Sequence, residues 1–118
     1  MSKHSKIGVK GEQIAEEFLL NKGYNILHKN WRSGKKELDL IAFKGDTLVI
    51  VETKTRTNFD FGFPEESVTK KKQQFLKSAA EAFIAANPQY LYIRFDIISI
   101  LMNGDKATEI LHFEEAFY

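Results

Sequence analysis

The sequence of 118 residues has no cysteine, only two prolines and a single tryptophan. Without cysteine there are no disulfides, no thiolate zinc sites and no cysteine nucleophile. Long hydrophobic runs are missing too. The most aliphatic stretches, LVIV (48–51) and IISILM (97–102), fall far short of the roughly 20 residues that cross a bilayer. The opening MSKHSKIGVKG is basic but lacks the apolar core of a signal peptide, so a cytoplasmic protein with no membrane partner is expected. His4, His28 and His112 lie far apart and form no metal-spacing motif. There is no glycine-rich phosphate loop and no Ser/His/Asp arrangement. An excess of one charge sign is also absent: 17 Lys/Arg against 16 Asp/Glu leaves a net charge of +1. Composition alone therefore does not announce a polyanionic partner.

The charges are unevenly spread. The first eighty residues carry 15 Lys/Arg against 10 Asp/Glu, and the remainder 2 against 6. A content of 43% hydrophobic and 28% charged residues is that of a globular protein, and the length is near the commonest domain size. One domain spanning 1–118 is expected.

Hydrophobic spacing orders the chain. Ile14, Ala15, Phe18 and Leu19 recur at helical intervals in 9–22, and Gly23 is a suitable stop. YNILHKNW (24–31) reads as a strand, and two more strands at 37–43 and 47–54 flank a Gly45-Asp46 turn. Leu76, Ala79, Ala80, Phe83 and Ile84 predict an amphipathic helix from 67 to 87, closed by Pro88. Strands at 90–102 and 107–113 enclose an NGDK turn. The order α-β-β-β-α-β-β, with a β-α-β crossover through the second helix, predicts an α/β fold with a mixed sheet.

Two of these strands, KKELDLIAFK and TLVIVETKTR, pose a question. Both are mostly apolar, yet they carry Glu37, Asp39, Glu52 and Lys54. Alternation puts Glu37, Asp39, Ile41 and Phe43 on one face of the first, and Leu48, Ile50, Glu52 and Lys54 on one face of the second. If a two-residue Gly45-Asp46 loop closes the hairpin, Lys44 pairs with Thr47, Asp39 lies opposite Glu52, and Glu37 lies opposite Lys54. Opposed carboxylates about 5 Å apart destabilise a sheet unless a proton or cation lies between them. Hard oxygen ligands suit Mg²⁺ or Mn²⁺. Lys54 is placed to orient a water or steady an anionic oxygen, while Glu37 either pairs with Lys54 or stays solvated. Glu12 shares the inward face of its helix with Ala15 and Leu19, and Lys72 shares an inward stripe with Val68 and Leu76.

Each feature has a plainer reading. Glu-x-Lys at a strand end is commonly a solvated edge, three successive lysines a solvated first helical turn, and Glu12 an acid favoured by a helix dipole. It is their joint occurrence on inward positions that points to a site. Arg32, Lys35, Lys36 and Arg56 flank it and are suited to phosphate contact, or simply to solubility. Phe59, Phe61 and Phe63, in the loop at 55–66, are suited to base stacking or to packing beneath the loop.

These residues resemble the PD-(D/E)xK nuclease superfamily. More narrowly, the chain resembles the YraN-like family, itself similar to Holliday-junction resolvases. The matching stretches are GEQIAEEFL (11–19), NWR (30–32), ELDLIA (37–42), LVIVETKTR (48–56), FGFPEESV (61–68) and RFDII (94–98), together with Lys72 and the alanine pair 79–80. The resemblance implies a restriction-endonuclease-like core. It implies Asp39 and Glu52 as metal ligands with the Thr53 carbonyl, Glu12 as a further acid, and Lys54 as the catalytic lysine. The chain departs from the pattern twice: ELD stands where the superfamily has PD, and Thr53 replaces the usual valine. The Thr53 side chain is expected on the opposite face, with little functional effect. The implied activity is metal-dependent hydrolysis of phosphodiester bonds in DNA, branched or junction DNA included, by a homodimer. The rival is a nucleic-acid-binding or scaffold protein that keeps the fold without cutting. RNA as the substrate also stays open.

Overall fold

The computed structural model describes residues 6–57 and 68–118. Among them the elements are α1 (Lys6–Asn21), β1 (Asn25–Ser33), β2 (Lys36–Lys44), β3 (Thr47–Arg56), α2 (Lys70–Ala86), β4 (Tyr92–Asn103) and β5 (Lys106–Phe117). The five strands form one sheet in chain order. β3 and β4 are parallel, joined through α2, and the other neighbours are antiparallel. This is the restriction-endonuclease-like α/β architecture, in the element order expected from the sequence.

Apolar clusters cover both faces of the sheet. On one, Leu38, Ile41, Leu48, Ile50, Phe95 and Ile97 pack with Leu76, Ala79, Ala80 and Phe83 of α2. On the other, Leu40, Ala42, Val49, Val51, Ile98 and Ile100 pack with Ala15 and Leu19 of α1. Two buried faces explain why β3 reads as a continuous LVIV run instead of alternating with polar residues.

The helix ends follow local chemistry. α1 closes in a Schellman pattern, with Tyr24 N–H donating to the Leu19 carbonyl at 3.0 Å and Gly23 N–H to that of Leu20 at 3.1 Å. Gly23 takes φ 90° there, a value open to a residue without Cβ. α2 begins at Thr69, whose hydroxyl accepts from Lys72 N–H at 3.1 Å. It ends at Asn87, one residue ahead of Pro88, whose ring cannot continue the helix.

The β2–β3 hairpin has the expected register. Lys44 pairs with Thr47 across Gly45-Asp46, and Gly45 has φ 64°, as the first position of a type II′ turn requires. β5 runs to Phe117, four residues beyond the strand predicted at 107–113. A left-handed Glu115 (φ 48°) lets it kink and continue, and Phe117 stacks on Phe95 with ring centroids 5.0 Å apart.

Candidate functional site

The site lies where β3 ends and β2 begins, since the two are antiparallel. That end also carries the start of α2 and the β1–β2 turn. The paired β2–β3 register runs from Lys44↔Thr47 to Leu40↔Val51, so Asp39 and Glu52 stand at the next step. In a two-residue hairpin the residues flanking the turn form a hydrogen-bonded pair, and such pairs recur every second residue. The pair due beyond Leu40↔Val51 is Leu38 with Thr53. Instead, the Thr53 N–H donates to Asp39 Oδ2 at 3.0 Å. The Asp39 side chain has taken the place of a strand partner at the point where the ladder opens.

Thr53 does more than its place on the strand suggests. Its side chain does share a face with Val49 and Val51, but its hydroxyl donates to the same Asp39 Oδ2 at 3.1 Å. A valine has no such donor. In an extended strand a residue's N–H and C=O point to the same side, so the Thr53 carbonyl is also directed toward β2.

The alternation predicted for β2 breaks beside Asp39. Leu38 packs on the α2 side with Ile41, whereas Leu40 packs on the α1 side with Ala42. The break coincides with a left-handed residue on β1. Lys29 pairs with Leu40 and Trp31 with Leu38, which places Asn30 opposite Asp39, and Asn30 has φ 52°. That left-handed step twists the ladder, and asparagine tolerates it better than most residues. Sequence reasoning missed Asn30 as a determinant of the site, although its type, in NWR, was the available signal.

Glu52 points to the α2 face, with its side chain only 1% exposed. Two ammonium groups approach the same Oε2: Lys54 at 3.8 Å and Lys72 of α2 at 3.4 Å. The two ammonium groups compensate the charge of the buried acid. The structure therefore brings Asp39, Glu52, Thr53, Lys54 and Lys72 together.

Glu12 is half-buried on α1 and follows Gly11, which touches β3 at Thr55 so closely that a Cβ on Gly11 would collide with the threonine hydroxyl. Glu12 thus sits by the same end of β3. Lys35 lies in the β1–β2 turn, Lys36 opens β2 and Arg56 closes β3, all at this end. Glu37 departs from both expectations: it is buried, and Arg32 of β1, 3.6 Å away, is its ionic partner. Phe59, Phe61 and Phe63 lie outside the described residues.

A second polar cluster lies on the α1 side of the sheet, beneath the end of α1, with its Asp96 paired to Val51, the residue before Glu52. Arg94 donates to Asp96 through Nε at 2.9 Å and Nη2 at 2.8 Å, and to the Tyr24 hydroxyl at 2.6 Å. Lys22 Nζ donates to His112 Nδ1 at 2.8 Å, which makes His112 Nε2–H the donor to Asp96 Oδ2 at 2.7 Å. Burial pushes the Asp96 carboxyl up, but hydrogen bonds from His112 and Arg94 outweigh it and hold the group below its ordinary 3.8. Burial raises the Tyr24 phenol, against the opposing pull of Arg94. This network binds β4 and β5 to α1. His112, isolated in sequence, acquires its role only through it.

Among the described residues no three His, Asp or Glu side chains gather as a metal cage. The groups that could hold a divalent cation here are two carboxylates, Asp39 and Glu52, with the Thr53 carbonyl. Such hard oxygen donors fit Mg²⁺ or Mn²⁺, which keep several waters. Comparison with known proteins agrees on kinship. Residues 11–100 match the family described as Uncharacterised protein family UPF0102. The chain belongs to this family. A UPF0102 protein of Flavobacterium psychrophilum is 46% identical over 118 residues, covering 100% of this chain and 98% of the relative. One from Phocaeicola vulgatus is 43% identical, covering 100% and 97%. UPF0102 is the YraN-like group, with its nuclease-like fold, that the sequence resembles. A solved structure of Pyrococcus furiosus SfsA in complex with Ca²⁺ matches at 16% identity with a TM-score of 0.32, covering 90% of this chain and 62% of that one. So distant a likeness carries no argument.

Proposed function

We propose that this protein is a divalent-metal-dependent nuclease hydrolysing phosphodiester bonds in DNA. The observation that carries the reading is Glu52: a desolvated carboxylate one step beyond the ladder, beside Asp39, flanked by Lys54 and Lys72. A fold does not retain such a group for stability, because an apolar residue would serve the core better.

A divalent cation held by Asp39, Glu52 and the Thr53 carbonyl would supply Lewis-acid polarisation and a more acidic water. The chain's own groups do the rest. Lys54 is placed to meet the non-bridging oxygen on which charge develops, and Lys72 to hold the phosphate from the α2 side. Glu12 would orient the attacking water. Three lysines, 70–72, fill the first turn of α2, where the helix dipole disfavours cations. That placement suits an anionic ligand. Arg32, Lys35, Lys36 and Arg56 extend the basic surface along a backbone without reading sequence. Branched or junction DNA is the substrate class implied by the family resemblance, and paired cuts would call for a homodimer.

One observation favours the rival, a binding or scaffold protein: two lysines already neutralise Glu52. Plasmid nicking separates the readings. Supercoiled DNA incubated with Mg²⁺ or Mn²⁺ should be relaxed by the native protein and not by Asp39→Asn. Nicking that survives Asp39→Asn, or is insensitive to EDTA, would remove this site from the reaction.

A further inference from the structure

Ser99 lies on β4 between Ile98 and Ile100, which both pack on the α1 side. Its own side chain therefore turns to the α2 side, with Phe95 and Ile97. The residue is 1% exposed, and its Oγ is buried with no hydrogen-bond partner among the described residues. A hydroxyl taken from water and left unbonded costs stability, and an alanine there would avoid that cost. β3 and β4 run parallel at this point. Ser99 pairs directly with Lys54, and Ile97 with Glu52. Glu52 and Lys54 project to the α2 side as well, since both meet there at Oε2. The unused hydroxyl thus stands beside the lysine, one strand spacing of about 4.8 Å away.

We propose that Ser99 is a positioning residue that receives the Lys54 ammonium when a divalent cation takes Glu52. The inference rests on the metal-dependent reading above. Lys54 faces Glu52 Oε2 at 3.8 Å, a place it cannot share with a cation on the same carboxylate, because the two positive charges repel. An ammonium has three donors, and the one directed at Glu52 is released when that acid turns to a metal. The Ser99 Oγ is the adjoining unused acceptor on that face among the described residues. By accepting the donor it holds Lys54 over the site, aimed at a phosphate oxygen, where the side chain would otherwise swing toward solvent. The bond that Oγ lacks is then one made only with Glu52 engaged, which gives the buried hydroxyl a purpose.

Stability and metal affinity separate this role from a small residue that merely fits beneath α2. A space-filling Ser99 would leave Mn²⁺ affinity unmoved on replacement. A Ser99 that receives Lys54 leaves the ammonium competing for Glu52 once it is gone, so Mn²⁺ binds more weakly while the fold loses an unpaired hydroxyl. The test is calorimetric titration of Mn²⁺ into the full chain, as wild type, Ser99→Ala, Ser99→Cys, Lys54→Ala and the Lys54→Ala/Ser99→Ala double variant. Each protein is also melted in EDTA. Ser99→Cys nearly keeps the volume but offers only a weak acceptor.

Ser99→Ala and Ser99→Cys should weaken Mn²⁺ binding about three- to tenfold, the worth of one hydrogen bond, and Ser99→Ala should melt in EDTA no lower than wild type. In the Lys54→Ala background the serine change should alter affinity by less than about twofold, since its partner is gone. Wild-type affinity in both Ser99 variants would overturn the proposal. So would an equal loss with and without Lys54, or a clear fall in the melting temperature of Ser99→Ala, which would mean a hydroxyl already in use without metal. Should Ser99→Ala fail to fold, Ser99→Cys, alone and with Lys54→Ala, carries the same comparison. Wild-type protein that binds no Mn²⁺ would bring down the metal-dependent reading, and the proposal with it. Mn²⁺ binding indifferent to Ser99 would bring down the proposal alone.

Discussion

The Lys72 ammonium, on the first turn of α2, lies 3.4 Å from Oε2 of the buried Glu52 on β3. A lysine there stands where a divalent cation would otherwise gain from the carboxylate's charge. Lys72→Ala should therefore raise Mn²⁺ affinity, by on the order of three- to tenfold after solvent screening, while lowering cleavage. Titration calorimetry beside a cleavage assay measures both. A fall in metal affinity would mean that Lys72 supports the site instead of competing within it.

Thr53 holds Asp39 through both its N–H and its hydroxyl. Thr53→Val keeps the volume and the N–H but removes one hydrogen bond to a buried carboxylate, which should cost about 1.5–3 kcal/mol of stability. Because the peptide donor survives, cleavage should change by no more than a few-fold. Urea unfolding and initial rates of the two proteins test the split. Equal stabilities would show that the hydroxyl contributes nothing.

Gly11 sits against Thr55 with no room for a methyl group. Gly11→Ala should push α1 off β3 and destabilise the fold by about 1–3 kcal/mol, despite alanine's better helix propensity. Thr55→Ala in the same chain should recover part of the loss. Thermal melting of the single and double variants gives the answer, and a stabilised Gly11→Ala would refute the close approach.

The Asp96 carboxyl lies below its ordinary 3.8 in the folded protein, where His112 and Arg94 outweigh burial. A depressed value contributes stability above the unfolded pKa and loses it as pH falls through the folded one. Acid destabilisation from this group should thus set in below about pH 4, with full stabilisation above. Asp96→Ala leaves Arg94 and His112 without their acid and should cost about 3–5 kcal/mol at neutral pH. Melting temperatures from pH 2 to 7 check both statements. An Asp96→Ala protein as stable as wild type would show that the network is idle.

Much of this was legible in the residues. Gly45-Asp46 fixed the hairpin register, because a two-residue loop allows only one closure around it. Leu76, Ala79, Ala80 and Phe83 marked the inward stripe of α2, and Pro88 its limit. The residues that gather at the site were visible because acids and lysines stood on inward positions. Local pattern could not show what long-range geometry decides. The β2 alternation breaks opposite the left-handed Asn30 of a neighbouring strand, where Asp39 meets Thr53, and Glu37 meets Arg32 in place of Lys54. The Arg94–Asp96–His112–Tyr24 network, with Lys22 on His112, joins residues up to 90 positions apart, with no spacing to betray it. The end of β5 carries Glu114 and Glu115 and reads as a polar tail, but Phe117 draws it back to the core through Phe95.

The central claim is that Asp39 and Glu52 form a cation-dependent cutting site. The most direct measurement is cleavage of end-labelled single-stranded, duplex, flap, four-way-junction and RNA substrates with Mg²⁺, Mn²⁺ or EDTA, by wild type and by identically prepared Glu52→Ala. The account predicts metal-dependent products from wild type, strongest on branched DNA, and a loss of at least a hundredfold in the variant, about 2.7 kcal/mol of barrier. Equal products from Glu52→Ala, or none from wild type on any substrate, would contradict it.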